Sequence, residues 1–233
     1  GPLAVLWLLS PFIAYWVSRP RTDERKLLPP EDLKFARLIA RRTWRFFETF
    51  LGPEDNWLPP DNYQEDPAPV VAHRTSPTNI GLLLLSTSSA RDLGYLGALE
   101  FVERQELTFA TMAKLGRLHG HFFNWYDTKT LEPLLPQYIS TVDSGNLAGH
   151  LFAVKQACVE FPENALFDAG AIAGLADTLD AITTEAASLG AVRQRTEVVT
   201  VRQLQDEIAA CRQLLKVTPG EKLSSWIVIF DSL

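Results

Sequence analysis

From His119 to Leu151 the chain reads HGHFFNWYDTKTLEPLLPQYISTVDSGNLAGHL. Aromatic and polar side chains are too dense here for an ordinary connection between helices. Two histidines, two phenylalanines and an Asn-Trp-Tyr-Asp run come first. A proline-punctuated loop follows, and then Asp-Ser-Gly-Asn opens an apolar helix. A loop this long inside a compact domain is usually functional or disordered, and its aromatic content argues against disorder. A carbohydrate-facing site uses this mixture: flat rings cover sugar faces, and short carboxylates and amides bind hydroxyls. A rigid loop whose aromatics plug a helical core is the alternative reading of the same residues.

The flanking segments are helical. Upstream, Ser76-Pro77 is a good N-cap and first-turn pair, and the body from Ile80 to Leu93 carries four consecutive leucines, Leu82 to Leu85. A helix apolar on nearly all sides is an interior helix. Arg74, Thr78 and Asn79 bring polar groups to its start, as a site or as a capping network. Ala98 to Leu118 is amphipathic, with Leu99, Val102, Leu107, Phe109, Met112 and Leu115 opposing a charged face. Downstream, Asp143 to Glu160 is a second largely apolar helix, capped by Asp143 or Ser144. Ala165 to Leu189 and Val201 to Leu215 are two more, separated by a break from Gly190 to Thr200. Thr218-Pro219-Gly220 is a stop, and the Trp226–Phe230 run WIVIF is of undecided type.

The N-terminal third differs. Gly1 to Ser18 has no charged residue and then meets Arg19, Arg21, Arg25 and Lys26. About 20 apolar residues span a bilayer, so this segment reads as the C-terminal part of a transmembrane helix. Its basic flank places the residues after 19 in the cytoplasm. A buried apolar helix is the alternative. Residues 19–30 form a basic linker. Glu31 to Leu51 recurs apolar residues at helical spacing, with Arg37, Arg41, Arg42 and Arg45 on another face, suited to anionic lipid or to acidic neighbours. Asn56 to His73 is an irregular arm broken by Pro59, Pro60, Pro67 and Pro69, and Trp57 and Tyr63 predict that it packs on something.

The totals exclude some functions. The 233 residues carry a net charge of -6, with 46% hydrophobic and 21% charged content. A nucleic-acid partner would want a basic face. Cys158 and Cys211 lie among apolar residues, which predicts buried free thiols rather than a disulfide or a metal motif. No G-x-x-x-x-G-K or G-x-G-x-x-G nucleotide signature occurs. The one methionine is Met112, so the chain reads as a piece of a longer protein.

Outer and inner helices alternate, with elaborate loops leading into the inner ones. That order predicts an all-α fold: an incomplete (α/α)6 toroid preceded by a transmembrane helix. The divisions are residues 1–18 as the membrane helix, 19–30 as linker, 31–217 as the N-terminal half of the toroid, and 218–233 unassigned. His119, His121 and His150 make only a weak metal set, without a clear fourth ligand, so neither a metal nor another cofactor is expected. Asp127 and Asp143 are weak candidates for the two carboxylates of glycoside chemistry. Asp127 as a turn residue and Asp143 as a helix cap are the bland readings, and Glu132 ranks below both. Trp125 and Tyr126 are adjacent, so one is expected to face a cleft and the other the core.

The segments RTSPTNIGLLLLSTSSARDLGYLG from Arg74 and HGHFFNWYDTKTLEPLLPQYISTVDSGNLAGHL from His119 closely resemble the central region of cyclic β-1,2-glucan synthases, large bacterial membrane proteins. The apolar start, the basic linker and LPPEDLKFARLIARRTWRFFETF match the same order, so the resemblance runs to about Pro162. It implies the end of a membrane segment at the bacterial inner membrane and the first half of a glycoamylase-like toroid that cyclises β-1,2-glucan by transglycosylation. It implies the remaining domains of the same polypeptide as partners and the catalytic carboxylates in later helices. By resemblance and residue type, Arg74, Asn79, His121, Asn124, Trp125, Tyr126, Asp127, Asp143, Ser144 and Asn146 would meet the glucan. The other expectations are a non-catalytic membrane-anchored helical module that binds glucan or a partner domain, and a phosphorylase of the same toroid class.

Overall fold

The structure is a computed structural model and describes residues 1–19, 28–190, 198–216 and 223–232. Most of the expected linker, residues 191–197 of the break from Gly190 to Thr200 and the Thr218-Pro219-Gly220 stop therefore lie outside the described residues. The chain divides into two compact units, Gly1–Phe35 and Ala36–Leu233.

In the first unit, α1 (Pro2–Val17) starts with proline in its first turn and has Pro11 inside it. All its side chains are exposed, Trp7 and Leu3 by more than four-fifths. The sequence predicts the C-terminal part of a transmembrane helix here, and α1 alone is not a spanning helix. α1 is 16 residues long, against the roughly 20 needed for a bilayer core, and among the described residues no helix is long and apolar enough to cross a membrane.

The second unit begins within α2 (Pro30–Phe50). Trp44 is buried and packs with Ala90 and Leu96. The arginine face is less outward than expected. Arg37 bonds Asp177 at 2.8 Å and the Leu93 carbonyl at 3.0 Å, and Arg41 bonds Glu48 at 2.8 Å and Thr178 at 3.0 Å. These half-buried arginines tie α2 to α6 (Ala169–Gly190), so the acidic-neighbour reading describes them.

α3 (Pro77–Asp92) is the interior helix expected, with Ile80, Leu83 and Leu84 buried. Burying each such side chain contributes roughly 1.5–3 kcal/mol. Ser76 caps it, accepting from the Asn79 N–H at 3.2 Å. α3 packs chiefly on α5 (Thr141–Glu160) and next on α4 (Ala98–Met112). α4 stops short of Leu118 because the chain turns into a hairpin. α5 is capped by Ser140, whose hydroxyl accepts from the Asp143 N–H at 3.1 Å, and not by Asp143 or Ser144. It is also less interior than its composition predicts: Leu147 and Val154 are buried, while Val142, Phe152 and Val159 are exposed. α6 pairs with α7 (Val198–Leu214). The WIVIF run is helical, inside α8 (Leu223–Ser232).

The sequence shows only weak strand signals, yet six two-residue strands occur among the described residues. β1 (Tyr63–Gln64) pairs with β2 (Val70–Val71), β3 (Arg74–Thr75) with β6 (Tyr126–Asp127), and β4 (Arg117–Leu118) with β5 (His121–Phe122), all antiparallel. The β4–β5 hairpin turns on His119 and Gly120, at φ 52° and 85°. Two positive φ values in a two-residue loop match the right-handed twist of the strands, and Gly120 adopts its own without strain. The irregular arm does pack: Leu58 is fully buried with Ile80, Leu84 and Tyr126, and the Tyr63 ring lies 4.8 Å from that of Phe50.

The cysteines depart from expectation. Both are free, but Cys158 is exposed and Cys211 half-exposed. Cys158 lies on α5, whose outer face is open.

Candidate functional site

The β3–β6 ladder joins the two motifs singled out in the sequence. Arg74 stands opposite Asp127, and Thr75 opposite Tyr126. Thr75 is fully buried, so this short ladder is anchored in the core. Arg74, Trp125 and the first turns of α3 and α5 are brought together as a result.

Of the adjacent aromatics, Tyr126 is the core ring. It is fully buried, its hydroxyl donates to the Gly116 carbonyl at 2.6 Å, and it accepts from the Phe123 N–H at 2.7 Å. Burial pushes its pKa up from the ordinary value. Trp125 is half-buried. The Arg74 guanidinium lies over its ring, 4.9 Å from the centroid, a cation–π arrangement. One indole face is therefore already covered within the chain.

Arg74 is held by Asp61, which the sequence reading missed. Asp61 Oδ2 accepts from Arg74 Nη2 at 2.9 Å and Nε at 3.2 Å, and its Oδ1 accepts from Asn79 Nδ2 at 3.2 Å. Asn62 Nδ2 also donates to Oδ2, at 3.0 Å. Asp61 sits in the irregular arm, and nothing in its local sequence distinguishes it from Asp66.

Asn124 is buried and links the loop to α5. Its amide is oriented by its neighbours: Nδ2 donates to Asp143 Oδ2 at 2.9 Å, and the oxygen accepts from Trp125 Nε1 and the Tyr138 hydroxyl, each at 2.7 Å. Tyr138 is a further residue that the sequence reading did not single out.

Asp143 reaches from α5 to the start of α3. Burial raises its pKa, but hydrogen bonds from the Ser140, Thr78 and Ser76 side chains and the Thr78 backbone outweigh this and lower it from the ordinary value. An anion at two helix starts is also favoured by their dipoles. Asp143 is thus a carboxylate at neutral pH, suited to accepting from hydroxyls and unsuited to donating a proton as a general acid. Asp127 closes a turn: its Oδ1 accepts from the Lys129 and Thr130 N–H groups, both at 2.8 Å. The Thr130 bond leads in lowering its pKa. Glu132 pairs with Asp127 through its backbone carbonyl.

The other candidates scatter more. Asn146 Nδ2 donates to Thr78 Oγ1 at 3.2 Å, and Ser144 is half-buried on the same first turn of α5. His121 is exposed on the hairpin. His150 lies on α5 against Gly81 of α3, where a side chain at Gly81 would strike its ring. Among the described residues, no group of three or more His, Cys, Asp or Glu could hold a metal.

A second polar cluster lies beside the ladder. Buried Asp55 accepts from the Thr128 hydroxyl in a short bond, and its Oδ1 is 2.8 Å from His73 Nδ1. It ties the start of the arm to the turn after Asp127.

No protein-family model matches the chain. A crystal structure from Bacteroides fragilis, provisionally described as a glucoamylase, aligns over 61% of this chain and 37% of its own, at 18% identity and a TM-score of 0.46. In sequence, the chain is 52% identical over 163 residues, 70% of its length, to cyclic β-(1,2)-glucan synthase NdvB of Rhizobium meliloti (strain 1021), and it spans about 6% of that protein.

Proposed function

We propose that this chain is part of a cyclic β-1,2-glucan synthase and supplies one wall of the cleft in which linear β-1,2-glucan is closed into a ring. The observation that carries the reading is the 52% identity over 163 residues to the Rhizobium meliloti synthase. In the same proposal residues 31–217 are the N-terminal half of a glycoamylase-like toroid whose other half belongs to the remaining domains of the polypeptide. The exposed apolar side chains of residues 1–18 support membrane contact there, at the bacterial inner membrane.

The role is gripping rather than proton transfer. Arg74, Asn79, Trp125, Asp143 and Asn146 cluster at the starts of α3 and α5 and offer donors and acceptors to sugar hydroxyls and a half-exposed indole ring to a sugar face. Buried Asn124 holds Trp125 and Asp143 in place. Asp127 and Asp143 both have lowered pKa values, which favours acid catalysis by carboxylates elsewhere in the longer protein. The acid would protonate the β-1,2 bond. A glucan hydroxyl would then attack in place of water, favoured by closing water out of the cleft.

Two measurements test this. Titration of the 233-residue chain with linear β-1,2-glucan should show saturable binding that β-1,3-glucan does not reproduce. In the full-length synthase, Trp125→Ala should lower the yield of cyclic product. Saturable binding with an unchanged cyclic yield would support the other class, a helical module that binds glucan without serving the ring closure.

A further inference from the structure

We infer that Asp61 is the positioning residue of this rim: it presets Arg74 on Trp125 so that one edge of the guanidinium is left for a glucan hydroxyl. The inference rests on the glucan-binding reading and adds to it a residue and a mode of contact.

Asp61 is itself well placed. Its backbone N–H donates to the Ala72 carbonyl at 3.2 Å, and Ala72 N–H donates to the Asn62 carbonyl at 3.0 Å. These bonds continue the β1–β2 ladder to the base of the hairpin, so the hairpin fixes Asp61 opposite the residues that lead into Arg74. The Asp61 side chain is 19% exposed and that of Arg74 51%. The carboxylate is the inner partner and the guanidinium the outer one.

The geometry of the pair sets what is offered. Arginine has five N–H donors in a rigid plane. Asp61 takes Nε and Nη2, which leaves Nη1 to donate outward. The ring of Trp125 backs the plane on one side, and Trp125 Nε1 is committed to Asn124. A sugar arriving from the Arg74 side of this rim therefore meets the guanidinium before that face of the indole. Asn79, on the same carboxylate, ties the pair to the first turn of α3. Without Asp61 the long arginine side chain would regain its rotamer freedom, and the stack would lose its lateral support.

The test is a double-mutant cycle read by titration calorimetry with linear β-1,2-glucan on the 233-residue chain. Asp61→Asn is expected to weaken binding about tenfold, and Asp61→Glu, which keeps the charge, to stay within about threefold of the parent. Arg74→Gln is expected to weaken binding to a similar extent, and the Asp61→Asn/Arg74→Gln double variant to be no weaker than Arg74→Gln alone. Additive losses would show that Asp61 does not act through Arg74. Unchanged binding in Asp61→Asn, with the parent binding normally, would overturn the role of Asp61 alone. Absence of binding by the parent chain would overturn the glucan reading and this inference with it. If Asp61→Asn does not fold, Asp61→Glu and Arg74→Gln decide, and an unchanged titration in Arg74→Gln overturns the inference.

Discussion

Gly94 and Gly174 meet backbone to backbone: a Cβ built on Gly174 would overlap the Gly94 carbonyl. Gly94 has φ 81°, a conformation that glycine adopts without penalty, and its own Cβ would overlap the Gly170 carbonyl. The α3–α4 turn therefore sits directly on the first turns of α6. Overpacking of this kind costs about 1–3 kcal/mol, so Gly174→Ala should lower the unfolding temperature by several degrees. Gly149→Ala, on an open stretch of α5, should raise it slightly. A calorimetric scan in which both variants match the parent would show that the two backbones are not in contact.

The two neighbouring rings should separate binding from stability. Trp125→Ala should weaken binding of linear β-1,2-glucan by about tenfold, with some loss of stability because its Nε1 bond to Asn124 is lost too. Tyr126→Phe should lower stability alone. It removes the bonds to Gly116 and Phe123 and costs about 1–2 kcal/mol, with binding intact. Titration and denaturant unfolding on the same two variants check this, and the opposite pattern would reverse the assignment of cleft and core.

Acid should act through Asp143. Against the effect of burial, hydrogen bonds hold its folded pKa below the ordinary aspartate value, so its carboxylate stabilises the fold above the ordinary carboxylate range. The contribution is lost as pH falls from about 4 through the folded pKa. Asp143→Asn should therefore be less stable than the parent at pH 7 and lose less stability between pH 5 and pH 2. Parallel stability curves over that range would rule out the bonds from Ser76, Thr78 and Ser140 as its support.

Cys158 should be the reactive thiol. It is exposed on α5, whereas Cys211 is half-exposed on α7. A colorimetric thiol reagent should modify Cys158 first in the native chain, and Cys158→Ser should remove the fast phase. A fast phase that survives this substitution would mean that Cys158 is covered.

The legible parts of the chain were those set by local chemistry. Ser76-Pro77 announces the start of α3, and the four leucines that follow announce its burial, because both signals lie within one helical turn or one helix face. The opposite roles of Trp125 and Tyr126 follow from adjacency alone. Which ring faces which way does not, since Tyr126 is fixed by Gly116, ten residues away. The same limit hid Asp61. Its partners Arg74 and Asn79 are 13 and 18 residues distant, and a proline-rich arm has no period from which to read a pairing. The β3–β6 ladder joins positions about 50 residues apart through strands of two residues, too short to alternate visibly. α5 misled in the other direction: an apolar composition reports what a helix could bury, not whether neighbours are present to bury it.

The pairing of Arg74 with Asp61 also bears on how the rim should respond to salt. Because the guanidinium is matched by a carboxylate 2.9 Å away, the pair offers an approaching polymer no unmatched positive charge. Affinity for an uncharged glucan should then change little between low and high ionic strength, since no counterions are displaced. Polyanions lose affinity steeply under the same conditions. A flat salt dependence would mark this surface as one built to grip a neutral chain by its hydroxyls, and would set it apart from arginine clusters that collect phosphate or sulfate.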